Sequence, residues 1–278
     1  MTDNAVGSVA AAVAKADVPI VRSVAYVDVF DALAQGLRDF RAAPLYGLFF
    51  GGVYAAGGWV LLFLLNWMEV NYYVYPMATG FAMIAPFIAA GLYEVSRRLE
   101  AGAPLTWHGV LASARTAGGK DLSWMVVVTT FAYIIWIDIA IALYLMFYGL
   151  KPLAFTELVT AIVTTPAGAL FFLVGNAVGA LLAAIVFSLT VVSFPLLFDR
   201  HVDFVTAMIT SCKVVLASPG PMALWAAVIA VLLMVSFLSV FVALVAVLPV
   251  LGHATWHLYR RAIAMKGDHV VLLALARE

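Results

Sequence analysis

Three sets of side chains have the types and positions to do chemistry. Asp138 lies in YIIWIDIAIALY, a carboxyl group inside an apolar run. In hydrocarbon such a group costs about 2.5–3.5 kcal/mol on insertion scales, so it should face protein or water and find a partner. It could serve as a proton or cation site. It could equally be a protonated carboxyl that joins two helices by a hydrogen bond. Asn176, in GNAVGALLA, is the partner expected at similar depth, or else bonds a neighbouring helix. His253 and His257 are four residues apart on one helix face. That spacing lets both bind one metal ion. A third ligand would be needed, and Glu94 is the nominee, because an internal repeat sets it equivalent to His257. No glutamate follows His253, so the zinc-peptidase pattern HExxH is absent. Two histidines on one face cannot be opposite axial ligands of one haem. The alternative is a pair of interfacial imidazoles bonding backbone or water.

The elements that hold these groups must be membrane helices. The 278-residue chain is 65% hydrophobic and 11% charged, against about 25% charged in a soluble domain. Its formal net charge is zero, which gives no basis for a nucleic-acid partner. One cysteine, Cys212, excludes an intramolecular disulfide and a thiolate metal cluster. Hydropathy places spans at about 45–65, 76–95, 122–147 and 166–198. The run 219–261 is too long for one crossing of a 30 Å core. It reads as two spans or as one span with a re-entrant piece; the flanking charges favour two spans, reversing near Ser236 to Ser239, where hydroxyls interrupt the aliphatics. The expected fold is all-α: a polytopic membrane helix bundle of about six transmembrane helices in three hairpins. Residues 1–27 read as a flexible tail without a signal-peptide core. Residues 28–264 form the transmembrane domain, and 265–278 a second tail.

Orientation follows from charge. The outer loops carry Lys151 alone, while the other fourteen basic residues fall on the opposite face. The positive-inside rule then puts both termini in the cytoplasm. Trp67, Tyr72, Tyr73 and Tyr75 suit an aromatic belt on the outer side.

The chain also repeats itself, at about 28–100, 105–200 and 202–262. Each repeat opens with an amphipathic stretch, beginning near Phe30, Trp107 and Phe204, that reads as a cytoplasmic-side interfacial helix. A pair of spans follows, the second carrying a proline: Pro86, Pro195 or Pro249. Arg97-Arg98 and Arg260-Arg261 each begin eleven residues after their proline, and Tyr93 aligns with Trp256. Pro195 departs from this, with Asp199-Arg200 only four and five residues on. Prolines inside spans kink helices for packing, or serve as hinges around a pore. Gly47 with Gly51, and Gly175 with Gly179 and Ala183, give small-residue faces for close helix packing. The group Asp199, Arg200 and Asp203 reads as local salt bridges at the membrane surface.

The runs APFIAAGLYEVSRR (from Ala85), TTPAGALFFLVGNAVGALLA (from Thr164), VVSFPLLFDRHVDFVTA (from Val191), SPGPMALW (from Ser218) and VLPVLGHATWHLYRR (from Val247) carry a resemblance. They resemble a family of predicted integral membrane proteins with a domain of unknown function, frequent in proteobacteria. The resemblance covers about 21–264. It implies a bacterial inner-membrane protein with six or so spans, and it brings no activity and no site residues.

Other chemistry is missing from the sequence. Gly118-Gly119-Lys120 lacks the first glycine and the Ser or Thr of a phosphate loop. No Gly-x-Ser-x-Gly elbow occurs. The expectation is therefore a non-enzymatic accessory or assembly component of a membrane complex. Its partners would be the bilayer and other membrane proteins or further copies of itself. The rival is a small-solute or ion permease that uses Asp138. No cofactor is expected, and a metal ion at His253, His257 and Glu94 is the weaker alternative.

Overall fold

The computed structural model describes residues 19–68, 74–116, 120–151 and 153–265. A short strand, β1 (Pro19–Val21), leads into α1 (Tyr26–Ala42) and α2 (Pro44–Trp67). Then come α3 (Val74–Glu100), α4 (Trp107–Thr116) and α5 (Lys120–Tyr148). After α6 (Phe155–Thr164), α7 (Pro166–Thr190) and α8 (Ser193–Asp199), the chain forms α9 (Phe204–Ala217), α10 (Pro219–Leu238) and α11 (Leu244–Ala262). A final strand, β2 (Ile263–Met265), pairs antiparallel with β1, with Ile20 opposite Ala264. The stretch expected as a mobile tail therefore holds a paired strand from Pro19 and a buried Val24. Residues 1–18 and 266–278 lie outside the described residues, as do Tyr72 and Tyr73 of the expected aromatic belt.

The architecture centres on α11. It packs against α1 most extensively, then α2 and α3. Glycine makes these approaches close. A Cβ on Gly36 of α1 would meet the Ala254 nitrogen at 2.6 Å and the Val250 carbonyl at 2.7 Å. On α2, Gly51 abuts the Val245 carbonyl, and Gly47 abuts Phe40 and Pro249. On α11 itself, Gly252 makes room for Leu92 of α3. The Gly47–Gly51 face is thus used for packing, as expected. Because α11 is wrapped by three helices, its histidines, tryptophan and tyrosine face protein and are buried. A helix so placed does not need an apolar surface.

Four helical stretches among the described residues are long and apolar enough to cross a membrane: Pro44–Trp67, Asp121–Tyr148, Pro166–Asp199 and Pro219–Leu238. The remaining two of the six expected spans correspond to α3 and α11, which carry the polar side chains of the core and do not join that set. The reversal after α10 falls a few residues later than expected. Ser239 caps α10, and Val240 and Phe241 take positive φ values of 52° and 65° before α11 begins. The Ser239 hydroxyl holds this turn. Ser239 Oγ donates to the Ser236 carbonyl at 3.0 Å and accepts from the Ala243 amide at 3.0 Å.

The three prolines differ in effect. Pro86 and Pro249 lie inside continuous helices. Pro195 lies in α8, and the long helix breaks at Val191 and Val192, one turn before it. A proline ring displaces the carbonyl four residues back, here that of Val191. The outer loop that carries Lys151 contains α6. The Glu157 carboxylate caps it by accepting from the Ala154 amide at 2.9 Å. Helix α6 then folds back so tightly on α7 that Gly168 touches the Ala161 carbonyl.

The three amphipathic stretches are helices α1, α4 and α9. Helix α1 buries Val29, Ala32 and Gly36 against the bundle while exposing Val27, Phe30 and Leu37 on another face. Trp107 of α4 sits against the rings of Tyr46 and Phe49 of α2, at 4.2 and 5.2 Å between centroids. In α9, Phe204 stacks on Trp124 at 5.5 Å.

Candidate functional site

Where α1, α3 and α11 meet, four polar side chains form one chain of hydrogen bonds. Each helix brings its share through the glycine contacts above. His257 Nε2 of α11 lies 2.7 Å from Asp39 Oδ2 of α1 and donates to it. The Ser96 hydroxyl of α3 donates to the same Asp39 oxygen at 2.7 Å. With its proton so used, Ser96 Oγ accepts from His253 Nδ1 at 2.8 Å. This fixes the His253 tautomer with an unprotonated Nε2, which is buried and makes no hydrogen bond. At the other end, His257 Nδ1 lies 3.7 Å from Glu100 Oε1, and Glu100 Oε2 accepts from Trp256 Nε1 at 3.2 Å. The chain runs from the half-exposed Glu100 to the fully buried His253. Burial alone would raise the Asp39 carboxyl. Hydrogen bonds from His257 and Ser96, with the coulombic attraction of His257, outweigh it and hold the group below its ordinary 3.8.

Around this network lies a belt of ion pairs. Glu94, fully buried, accepts from Arg97 at 2.8 and 2.9 Å, from Arg98 at 2.6 Å and from Ser113 at 3.1 Å. Asp199 of α8 accepts from the Tyr259 hydroxyl at 2.7 Å and pairs with Arg200 at 3.1 Å. Arg261 bridges Asp28 and Asp31 of α1 at 2.9 and 3.1 Å. Asp203 is a helix cap, accepting from the Thr206 amide at 2.9 Å and the Thr206 hydroxyl at 2.6 Å.

The sequence-derived residues are thus partly assembled. His253 and His257 do share a site, but with Asp39 and Ser96, while Glu94 is engaged by arginines. Among the described residues no group of three or more His, Cys, Asp or Glu side chains is arranged to hold a metal ion. Tyr93 and its equivalent Trp256 stack at 6.3 Å. Ser96 and its equivalent Tyr259 each donate to an aspartate, Asp39 and Asp199. That second alignment could have flagged Ser96. Nothing local in the sequence singles out Asp39, which reads as one more polar residue on α1.

Asp138 and Asn176 lie apart from this network. The Trp136 ring of α5 would meet a Cβ on Gly179 of α7 at 3.1 Å, and Tyr148 meets Phe171 with ring centroids 5.2 Å apart. These contacts run the two helices antiparallel and put Asp138 within a few ångströms of the depth of Asn176. Yet both side chains are exposed on the outside of their helices. Asn176 donates to the Phe172 carbonyl of its own helix at 2.8 Å. Among the described residues, no hydrogen bond or ion pair of Asp138 is seen. Of the small-residue face on α7, Gly179 is used against Trp136, while a Cβ on Gly175 would meet nothing within 4 Å.

Residues 74–199 match the family described as predicted integral membrane protein (DUF2189), a domain of unknown function. The matched stretch runs from the start of α3 to the end of α8, and the resemblance read from the sequence is to this family. No curated protein and no solved structure matches the chain.

Proposed function

We propose that this integral membrane protein works without catalysis, through contacts, as an accessory or assembly component of a larger complex in a bacterial inner membrane. The observation that carries the reading is Asp138, a carboxyl deep in a candidate span that faces outward and has no partner among the described residues of its own chain. A polar group so placed is expensive in lipid and inexpensive against another protein surface. The polar network around Asp39 supports the same reading. Its groups are joined to one another and brace three helices, instead of lining a substrate cleft.

In this reading the chain crosses six times, with α3 and α11 as inner spans and both ends in the cytoplasm. The pairing of β1 with β2 supports an even number of crossings, since residues 19–21 and 263–265 lie side by side. The charge asymmetry supports the side. The test is reconstitution. Purified protein in liposomes is expected to move no ion or small solute above the rate of empty vesicles. Solute flux abolished by Asp138→Asn would instead establish the permease.

A further inference from the structure

The outward face of α5 has a regular pattern. Val127, Phe131, Ile134, Asp138, Ile141 and Leu145 are all exposed. They follow one another at spacings of four, three, four, three and four residues. Those five steps cover eighteen residues, 3.6 per step, so the six side chains form one stripe along the helix, a surface, or seam, that a second helix can lie along. Within the chain, α5 packs by its other side on α7, α3, α8 and α9. Asp138 is the one polar residue of the seam and lies at its centre. A single polar residue at a seam position fixes register and the number of strands, at a cost in stability.

From this we infer that α5 is the interface of a parallel homodimer, in which Asp138 pairs with its own counterpart in the second copy. The inference rests on the contact reading above and names the partner. Copies inserted in the same direction are related by a two-fold axis along the membrane normal. Such an axis carries each residue to its own depth, so a residue in the seam meets itself. A carboxyl group that holds a proton is both donor and acceptor, and is therefore its own complement. The two groups retain at least one proton between them, the O–H of one donating to an oxygen of the other, since two adjacent carboxylates repel. Both polar groups are then removed from lipid by one contact.

The test uses the full chain with Cys212→Ser and one cysteine at a time in native membranes under mild oxidation. Seam positions are Val127→Cys, Ile134→Cys, Asp138→Cys, Ile141→Cys and Leu145→Cys. Controls are the exposed off-seam positions Val126→Cys and Met146→Cys. Disulfide-linked pairs of the chain are expected at the seam and not at the controls. In parallel, energy transfer between labelled copies is followed as vesicle lipid dilutes them. Asp138→Asn should still associate, because an amide is also donor and acceptor. Asp138→Leu should raise the dissociation constant about tenfold, the worth of an interhelical hydrogen bond in lipid. Association lost equally in both variants overturns the carboxyl pairing. Seam adducts formed only with a different polypeptide overturn the second copy while leaving the contact reading intact. No adduct at any position, with a monomer at every dilution, overturns both.

Discussion

At the scale of the residue, Asp39 joins α3 and α11 to α1 in the polar core. It accepts from His257 and from Ser96 at 2.7 Å each. Truncation by Asp39→Ala leaves a buried histidine nitrogen and a buried hydroxyl without their acceptor. An unsatisfied buried group costs about 1–3 kcal/mol. The melting temperature in detergent at neutral pH should fall accordingly. The pH dependence has a definite sign. The Asp39 carboxyl is held below its ordinary 3.8 in the fold, so its contribution is fully present above that value and is lost as pH falls through the lower folded value. The wild-type and Asp39→Ala melting curves should therefore differ at pH 7 and converge in acid below 3.8. A constant difference across that range would remove Asp39 from the acid response.

Single residues are also where the sequence is hardest to read. Asp138 and the His253–His257 pair stand out, one by charge in an apolar run and the other by spacing. Asp39 and Glu100 do not, because a carboxylate on an amphipathic helix is ordinary. Only the approach of α1 to α11 turns Asp39 inward. Glu94 is visible through the repeat, yet Arg97 and Arg98, one turn on, reach it first. Neighbours at three and four residues along a helix always have that advantage.

At the scale of the element, α11 is held by backbone proximity, and glycines set that distance. Gly36→Val would push a branched side chain against the Ala254 nitrogen and the Val250 carbonyl. Backbone cannot yield as a side chain does, so a loss of about 1–3 kcal/mol or more is expected. Gly52 is one residue from the close contact at Gly51, yet a Cβ placed on it would meet nothing within 4 Å. There Gly52→Ala should be neutral or raise helix stability by up to about 1 kcal/mol. Chemical or thermal unfolding of the two variants checks the contrast. Equal effects would mean that the α1–α11 contact is not tight.

Helix existence is legible from apolar runs and from the prolines at the starts of α2, α7 and α10. The break at Val191 is foreshadowed by Pro195 and by its departure from the repeat. Helix α6 is not legible, because ten residues between two spans look like any loop until Glu157 caps them. Hydropathy also treats α3 and α11 as weaker than the outer spans. The reason is that protein, and not lipid, surrounds their polar stretches.

At the scale of the whole molecule, two polar systems are segregated. One is internal, closed by mutual hydrogen bonds, and braces α1, α3 and α11. The other is external, a carboxyl at the centre of a span surface. The first accounts for the cohesion of the bundle, and the second is the basis of the contact proposed above. The membrane class is evident from composition alone, and the family match over residues 74–199 agrees with it. Partner identity is not, since an outward-facing aspartate and an inward-facing one have the same sequence signature.

The most direct measurement is the composition of the native particle. The protein would be extracted from its own membrane in mild detergent and separated on a native gel. Its mass would be measured and every co-migrating polypeptide identified. Association through the span surface predicts a particle larger than one chain, with a second copy or another subunit present in fixed stoichiometry. A particle of one chain alone, at native abundance and with its lipid retained, would contradict the account.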